Sequence, residues 1–263
     1  MKTYPVIKIL GVDFINANLE EVIDIIKKGG LLGAPAAPGL LKIKKDPEYH
    51  KSLLFADVII PDSGFMVLLW NAFHREKINR ISGLKFLMTF LKDQEIKDSS
   101  SLLLVDPNPA EAQHNINYLK NSGFNISNDI SYVAPIYNKN YIKDGFLLNA
   151  IELKKPKYII INLGGGTQEK LGAYLKENLT YKPAIICTGA AIAFITGQQA
   201  RIPAWGDKLY LGWLFRCVQN PKVYVPRYIE AFKLAAYMFN YSYRPFLKIT
   251  RIYKKAASST YIK

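Results

Sequence analysis

Runs of Ile, Leu and Val alternate along the chain with segments whose apolar residues recur every three or four positions. The apolar runs are DVII, SLLLVD, YIIINL and AIIC. Such runs are typical of buried strands, and the periodic segments are typical of amphipathic helices. Strands that are continuously apolar indicate a parallel sheet with helices on both of its faces.

The individual elements follow from this pattern. We predict one strand over residues 6–15, a strand near 30–34 and a weak strand in ISYVAP. The predicted helices lie in NLEEVIDIIKKGG, after Asp46, after PDSG, and in AEAQHNINYLKNSG, GFLLNAIELKKP and TQEKLGAYLKENL. Together they predict an α/β fold, a Rossmann-like core of mostly parallel sheet with flanking helices, over residues 1–200.

Residues 201–263 differ in composition, and we predict that they form a basic, aromatic, helical C-terminal appendage. They hold twelve Lys and Arg against Asp207 and Glu230, which accounts for +10 of the net charge of +14. They also hold 14 of the 33 aromatic residues. Basic residues interleaved with rings suit phosphates, anionic lipid headgroups or stacked bases. Helical periodicity from Pro226 places on one face Tyr228, Phe232, Ala235 and Phe239.

The remaining composition excludes several classes of protein. A chain of 263 residues, 49% hydrophobic and 21% charged, buries a core without disulfides and is not disordered. Cys187 and Cys217 lack metal-site or redox spacing, so we expect reduced cysteines in a cytoplasmic protein. The N-terminus lacks the apolar stretch of a signal peptide, and the uncharged stretch 183–200 is too polar to span a membrane.

The first candidate for chemistry is Asp62, which follows the apolar run DVII. Ligands of open parallel sheets bind at the carboxyl ends of strands, and a carboxylate there can take a proton from a hydroxyl nucleophile. A structural role explains the same residue, since Asp62 before Ser63 and Gly64 is a good helix N-cap by composition. The local residues by themselves favour the cap.

A glycine-rich turn follows YIIINL, and its backbone N–H groups at a helix start suit a phosphate. The turn consists of Gly164, Gly165, Gly166, Thr167, Gln168 and Glu169. It lacks the spacing of a P-loop or of GxGxxG, and a tight structural turn explains it equally well. Gly189 in CTGAA marks a second such turn, where close packing is the favoured explanation.

Arg80 and Arg201 stand among small or apolar neighbours, where each could hold a diphosphate or pair with an acid. His50, His74 and His114 lack ligand spacing, and the chain has no DxD pair. We therefore predict no metal site and no cofactor.

In their order along the chain, these segments resemble the bacterial WecG/TagA/CpsF glycosyltransferase family, glycosyltransferase family 26. The similar segments are VIDIIKKGG, DPEYHKSLLFADVIIPDSGFMV, RISGLKFL, KKPKYIIINLGGGTQEK, CTGAAIAFITGQQARIPAW and LGWLFRCVQNPKVYVPRYIEAF. Each is a modest signal, and their shared order across most of the chain makes the resemblance specific.

The resemblance implies an inverting, metal-independent enzyme of bacterial cell-surface polysaccharide synthesis. It would move an N-acetylmannosamine-type sugar from a UDP-sugar donor to a polyprenyl-diphosphate-linked sugar, as a peripheral protein on the inner face of the cytoplasmic membrane. Without a metal ion, arginines and helix N-termini are the means to neutralise the departing UDP. We expect no nucleic acid among its partners.

The resemblance also assigns roles to individual residues. Asp62 matches the family's proposed catalytic base, which reverses the preference for a cap. Gln168, Glu169 and Arg80 match pocket positions. Arg216 and Arg227 lie in the family's C-terminal appendage, whose basic residues are thought to reach the active site and the lipid diphosphate.

The chain departs from the family pattern in two places. GAPAAPG at 33–39 stands where many members have Thr-x-Asn, which removes side-chain donors from a donor-sugar contact region. Residues 164–169 stand where many have Gly-x-Pro-Lys-Gln-Glu, so the lysine is lost and a backbone phosphate cradle would have to compensate.

Two alternatives to this function stay open. A nucleic-acid-modifying enzyme would grip RNA with the basic aromatic appendage, although stacking platforms are more often on sheets and loops. A non-catalytic scaffold at the membrane would need only the appendage. The appendage itself packs on its own core, packs on a second subunit of a homo-oligomer, or contacts lipid, and the residues do not choose between these roles.

Overall fold

A six-stranded parallel sheet lies at the centre of the computed structural model, which describes residues 4–98, 101–138, 141–198, 205, 206, 210 and 212–243, without the side chains of 98, 128, 227 and 240–243. In chain order the strands are β1 Val6–Ile9, β2 Val12–Ile15, β3 Gly30–Gly33, β4 Val58–Ile59, β5 Leu102–Asp106, β6 Ser131–Val133, β7 Tyr158–Ile161 and β8 Ala184–Cys187. The order across the large sheet is β4-β3-β8-β7-β5-β6, and all of its neighbouring pairs are parallel.

Helices cover both faces of this sheet, and two short 3₁₀ segments span Leu41–Lys44 and Asn128–Ile130. The helices are α1 Leu19–Ile26, α2 Ala37–Leu40, α3 Pro47–Phe55, α4 Gly64–Phe73, α5 Gly83–Phe90, α6 Gln94–Asp98, α7 Pro109–Asn121, α8 Gly145–Lys154, α9 Thr167–Asn178, α10 Ala191–Ile195, α11 Gly212–Gln219, α12 Pro221–Ala231 and α13 Lys233–Tyr243. The predicted α/β, Rossmann-like class is therefore confirmed.

Neighbouring residues of each strand point into different cores, as the two-residue period of a strand requires. In β8, Ile186 packs in the core that includes α1, α5, α7 and α10, whereas Ile185 packs in the core that includes α8 and α9. Both side chains are almost completely buried. This double burial is the reason that the strand reads as a continuous apolar run.

The prediction of one strand over residues 6–15 was wrong. The segment folds back as an antiparallel hairpin in which Ile9 pairs with Val12 across a two-residue turn. Leu10 and Gly11 have φ of 53° and 84°, the left-handed backbone that a tight hairpin turn requires. Lys8 and Asp13, which pair across the hairpin, interrupt the apolar run on its exposed face.

The predicted helix starts at α1 and α3 are confirmed. Asn18 and Glu21 form a capping box at the start of α1, and Asp46 caps α3, where Pro47 occupies the first turn. The helices α5 and α6 were not predicted. The cap of α5 is Ser82, a local signal of the same kind as Asn18 at the start of α1.

The C-terminal helices pack on the core through a face that the sequence did not indicate. Ala231, Leu234 and Met238 are buried in the cluster that also holds the β1–β2 hairpin and parts of α2, α3 and α4. Phe232 and Phe239, on the predicted aromatic face, remain 65% and 52% exposed. The helical segment also begins at Pro221, ahead of the predicted start at Pro226, because proline is favoured in the first turn of a helix.

Within the described residues, no helix is both long enough and apolar enough to cross a bilayer.

Candidate active site

A cavity of about 350 Å³ opens at the carboxyl ends of β3, β4 and β8. Its wall includes residues after each of these strands and residues of the C-terminal helices α11 and α12. β3 leads towards α3, which packs against α9, whereas β8 leads into α10, which packs against α5 on the other face of the sheet. The cavity thus lies where the connections diverge to opposite faces, the usual ligand site of an open parallel sheet.

Asp62 lines this cavity, and hydrogen bonds to Gly83 and Arg80 hold it there. Its Oδ1 accepts from the backbone N–H of Gly83 at 2.8 Å, and its backbone carbonyl accepts from Nε of Arg80 at 2.9 Å. The cap of α4 is Ser63, whose hydroxyl oxygen accepts from the backbone N–H of Met66. The structural alternative for Asp62, a cap of the following helix, was therefore wrong, because that helix begins one residue later than the alternative required.

Arg80 lines the same cavity from the segment between α4 and α5. The bond from its Nε to the Asp62 carbonyl sets the plane of the guanidinium, because that group is rigid and planar. On another side the guanidinium carbon lies 5.2 Å from the centre of the Tyr210 ring. The base candidate and one anion-binding candidate are therefore held as a unit.

Arg216 reaches the cavity from α11, so the appendage contributes a basic residue to the cavity wall. Its guanidinium carbon lies 4.8 Å from the centre of the Phe194 ring. The Nε atom is buried and has no hydrogen-bond partner. A buried donor without a partner is costly, and an anionic ligand is the kind of group that would satisfy it.

Tyr228 is a cavity residue that sequence reasoning did not select as a site residue. Burial raises the pKa of its hydroxyl, and the positive charge and hydrogen bond of Arg216 partly oppose that rise. The Asp62 carboxylate acts in the same direction as burial. Tyr228 therefore adds a hydroxyl with a raised pKa to the cavity that Asp62 and Arg216 also line. The available signal was its place among basic residues in the aromatic appendage.

Gln168 and Glu169 are buried beside the site and do not line the cavity. The Gln168 amide donates to Glu169 Oε1 at 2.9 Å and accepts from the backbone N–H of Gly189 at 2.7 Å. Glu169 Oε2 accepts from the backbone N–H of Gly166 at 2.6 Å. Burial raises the pKa of Glu169, and these donors oppose the rise. The pair cross-links the two glycine turns.

The glycine turn at 164–169 lies outside the cavity wall. Gly164 and Gly165 are exposed, and Thr167 begins α9, but none of the three lines the cavity. Gly166 has φ of 94°, and its N–H is already bonded to Glu169.

Close packing does not explain Gly189, so that preference was wrong. A Cβ atom there would meet its nearest neighbour, Gln168 Nε2, at an ordinary 3.7 Å. The glycine is instead favoured by its φ of 64°.

Two predicted arginines lie beyond what the structure describes. Arg201 is outside the described residues, and of Arg227 only the backbone, in α12, is described. Among the described residues there is no group of three or more His, Cys, Asp or Glu side chains that could hold a metal ion.

The sheet and the cavity at its switch point define a Rossmann-like α/β protein with a candidate ligand site that contains a carboxylate and two arginines. The model of the glycosyl transferase WecG/TagA/CpsF family matches residues 7–246, so the chain belongs to this family. It is therefore a glycosyltransferase, and the resemblance noted from the motifs is confirmed.

Named relatives match this chain over most of its length and most of their own. An N-acetylglucosaminyldiphosphoundecaprenol N-acetyl-beta-D-mannosaminyltransferase of Bacillus subtilis (strain 168) is 23% identical over 219 residues, 80% of this chain and 82% of the relative. Proteins of the same name from Staphylococcus aureus strains MW2 and MRSA252 are each 22% identical. They cover 82% and 81% of this chain, and 85% and 84% of their own lengths.

Proposed function

We propose that the protein is an inverting, metal-independent transferase that moves an N-acetylmannosamine-type sugar from UDP to a polyprenyl-diphosphate-linked N-acetylglucosamine. The names of its relatives support the sugar and the acceptor. The observation that carries the mechanism is one cavity lined by Asp62, Arg80 and Arg216. The product would enter cell-surface polysaccharide synthesis.

Asp62 is the general base of this proposal. Its carboxylate takes the proton of the acceptor hydroxyl while that oxygen forms a bond to the anomeric carbon of the donor sugar. The bond from the anomeric carbon to the UDP oxygen breaks in the same step, and the electron pair leaves with UDP. A single displacement of this kind inverts the anomeric centre, and the bond to Gly83 keeps the carboxylate oriented for it.

The arginines would neutralise the negative charge that develops on the departing diphosphate. Arg80 is already oriented by the Asp62 carbonyl, and Arg216 carries a buried donor without a partner. Preorganised cations near the leaving group stabilise the transition state without reorganising during the reaction. Arg201 and the exposed turn residues Gly164 and Gly165 stay predicted contacts to this diphosphate. Arg227 stays a predicted contact to the lipid diphosphate of the acceptor.

The segment at 33–39 supports a relaxed or altered choice of donor sugar. Ala36, Ala37 and Pro38 line the cavity with apolar groups where many family members carry Thr-x-Asn. An apolar wall suits the methyl of an N-acetyl group and offers no side-chain hydrogen bonds to sugar hydroxyls. Donor choice then depends on the remaining polar groups of the cavity, which include Ser82 and Thr188.

The test is UDP release from a panel of UDP-sugars, with and without short-chain polyprenyl-diphosphate-linked N-acetylglucosamine, in the presence of EDTA. We expect acceptor-dependent release from one N-acetylmannosamine-type donor, and product analysis should show an inverted anomeric centre. Release that requires an added divalent cation would refute metal independence. Release from no donor would refute the proposed substrates.

We also propose that the appendage places the enzyme on the inner face of the membrane. Several of its large apolar side chains are exposed, among them Val218, Val223, Ile229 and Phe232. Lys222 lies on α12 with Val223 and Ile229, and Lys233 begins α13 directly after Phe232. Both lysines suit anionic headgroups.

Membrane contact can be tested without removing the buried face of the appendage. Replacement of Val218 and Ile229 by Ser should reduce cosedimentation with anionic liposomes. Leu153→Ser is the matched control, because Leu153 is equally apolar and exposed but lies on α8. An equal effect of the control, or no effect of the pair, would refute this surface as the membrane contact.

A further inference from the structure

We propose that Tyr210 is a positioning residue that holds the Arg80 guanidinium in place for the donor diphosphate. This inference rests on the proposed function, in which Arg80 binds that diphosphate. Tyr210 lines the cavity between the core and α11, and its aromatic ring faces the guanidinium carbon at 5.2 Å. A cation at this distance from a ring face is attracted by the ring's electrons.

The backbone of Tyr210 is held in an unfavourable conformation. Among the described residues, Leu10, Lys155 and Tyr210 are the non-glycine residues with positive φ. Leu10 occupies a two-residue hairpin turn and Lys155 the C-terminal cap of α8, both positions where a left-handed backbone is common. Tyr210 has φ of 61° beside the cavity. Strain of this kind persists where surrounding contacts over-determine it, often at functional sites.

The ring of Tyr210 packs closely against Gly64, the first residue of α4. A Cβ atom on Gly64 would lie 2.6 Å from Cδ1 and 3.0 Å from Cβ of Tyr210. Because Gly64 does not have a positive φ, its backbone does not itself require glycine. Glycine is required there because the tyrosine ring occupies the space that a Cβ atom would fill.

Tyr210 therefore contacts two residues that are linked to Asp62, namely Gly64 and Arg80. Gly64 lies two positions after Asp62 in the chain, and the Arg80 side chain is bonded to the Asp62 carbonyl. The guanidinium contacts both this carbonyl and the ring, which limits the orientations it can adopt. Such restriction lowers the entropic cost of binding an anion and shields the charge from water.

The first experiment measures UDP binding by calorimetry. Tyr210→Phe keeps the ring face and should bind UDP as the wild type does. Tyr210→Leu removes the ring but keeps apolar bulk, and should weaken UDP binding by about 2-fold to 30-fold, the range expected of one cation–π contact. In an Arg80→Ala background the Leu variant should have no further effect.

Two other results would separate failure of the inference from failure of the proposed function. Equal weakening by Tyr210→Leu with and without Arg80 would show that the ring does not act through Arg80, and would overturn the inference alone. A wild-type protein that binds no UDP would overturn the proposed donor and this inference together. Thermal unfolding of every variant without ligand establishes that each is folded.

A second variant displaces the ring without removing it. Gly64→Ala places a methyl group against Tyr210 and should weaken UDP binding to the level of Tyr210→Leu. In a Tyr210→Ala background the same methyl has room, so Gly64→Ala should then change nothing. If Gly64→Ala weakens binding equally in both backgrounds, the contact between Gly64 and Tyr210 does not position Arg80.

Discussion

The carboxylate of Asp62 accepts a hydrogen bond from the backbone N–H of Gly83 at 2.8 Å, at the first residue of α5. Asp62 follows β4, whereas Gly83 opens a helix that begins after the whole of α4. The orientation of the proposed base is thus set by α5, whereas its own segment leads into α4. Because Ser63 caps α4, the carboxylate of Asp62 is available to bond to α5 and to face the cavity.

Asp62→Asn should separate chemistry from folding. The amide oxygen can still accept from Gly83, but the side chain no longer accepts a proton, so turnover should fall by about 10²-fold to 10⁴-fold. UDP affinity and thermal stability should stay close to wild type. The control is Asp24→Asn, an exposed carboxylate on α1. Undiminished turnover of Asp62→Asn, measured by UDP release, would remove Asp62 from the mechanism.

Two helical glycines should respond oppositely to alanine. At Gly172 in α9, a Cβ atom would lie 2.7 Å from Leu31 Cδ1 and 3.0 Å from Cys187 Sγ. Gly172→Ala should lower the free energy of unfolding by about 1–3 kcal/mol, because the crowded core outweighs the gain in helix propensity. At Gly145, the first residue of α8, nothing lies within 4 Å, so Gly145→Ala should be neutral or stabilising. Urea denaturation of both variants checks the contrast, and equal effects would contradict it.

Glu169 should make stability depend on pH. Burial raises its pKa above the ordinary value of 4.5, so between that value and the raised one the folded protein binds more protons than the unfolded chain. The free energy of unfolding therefore falls as pH rises through this window.

Glu169→Gln should remove that dependence. Below the window the variant should be less stable than wild type, because one amide N–H₂ faces a donor of Gln168 or Gly166. The difference should narrow or reverse as pH rises. Urea denaturation at several pH values measures it, with the exposed Glu20→Gln as control. A difference that stays constant with pH would contradict the expectation.

The C-terminal helices should unfold together with the core. Leu234 is completely buried in the cluster with the hairpin and α4, so Leu234→Ala should cost about 2–5 kcal/mol. Ile229→Ala changes an exposed residue of α12 and should cost no more than about 0.5 kcal/mol. A single unfolding transition is expected for both. Two separate transitions, or equal small effects, would show that the appendage does not depend on the core.

The order of strands and helices in the core could be predicted from the sequence because its signals are local. Double burial makes β8 a continuous apolar run, and the caps at Asn18 and Asp46 mark their helices within a few residues. Asp62 could be singled out because its place after a strand is itself a local feature. The helix α5 was not predicted although Ser82 caps it, and the hairpin turn at Leu10 was missed because two residues are too few to form a period.

The tertiary structure alone decided which distant residues share the cavity. It places Arg216 and Tyr228 of the appendage beside Asp62, and it buries Gln168 and Glu169 between two turns away from the cavity wall. Periodicity indicates an apolar face of a helix but not what covers that face, as the exposed Phe232 and Phe239 show. It is also silent on a single contact such as the ring of Tyr210 against Gly64. Contacts of that kind depend on how whole elements pack, and packing is a property of the complete fold.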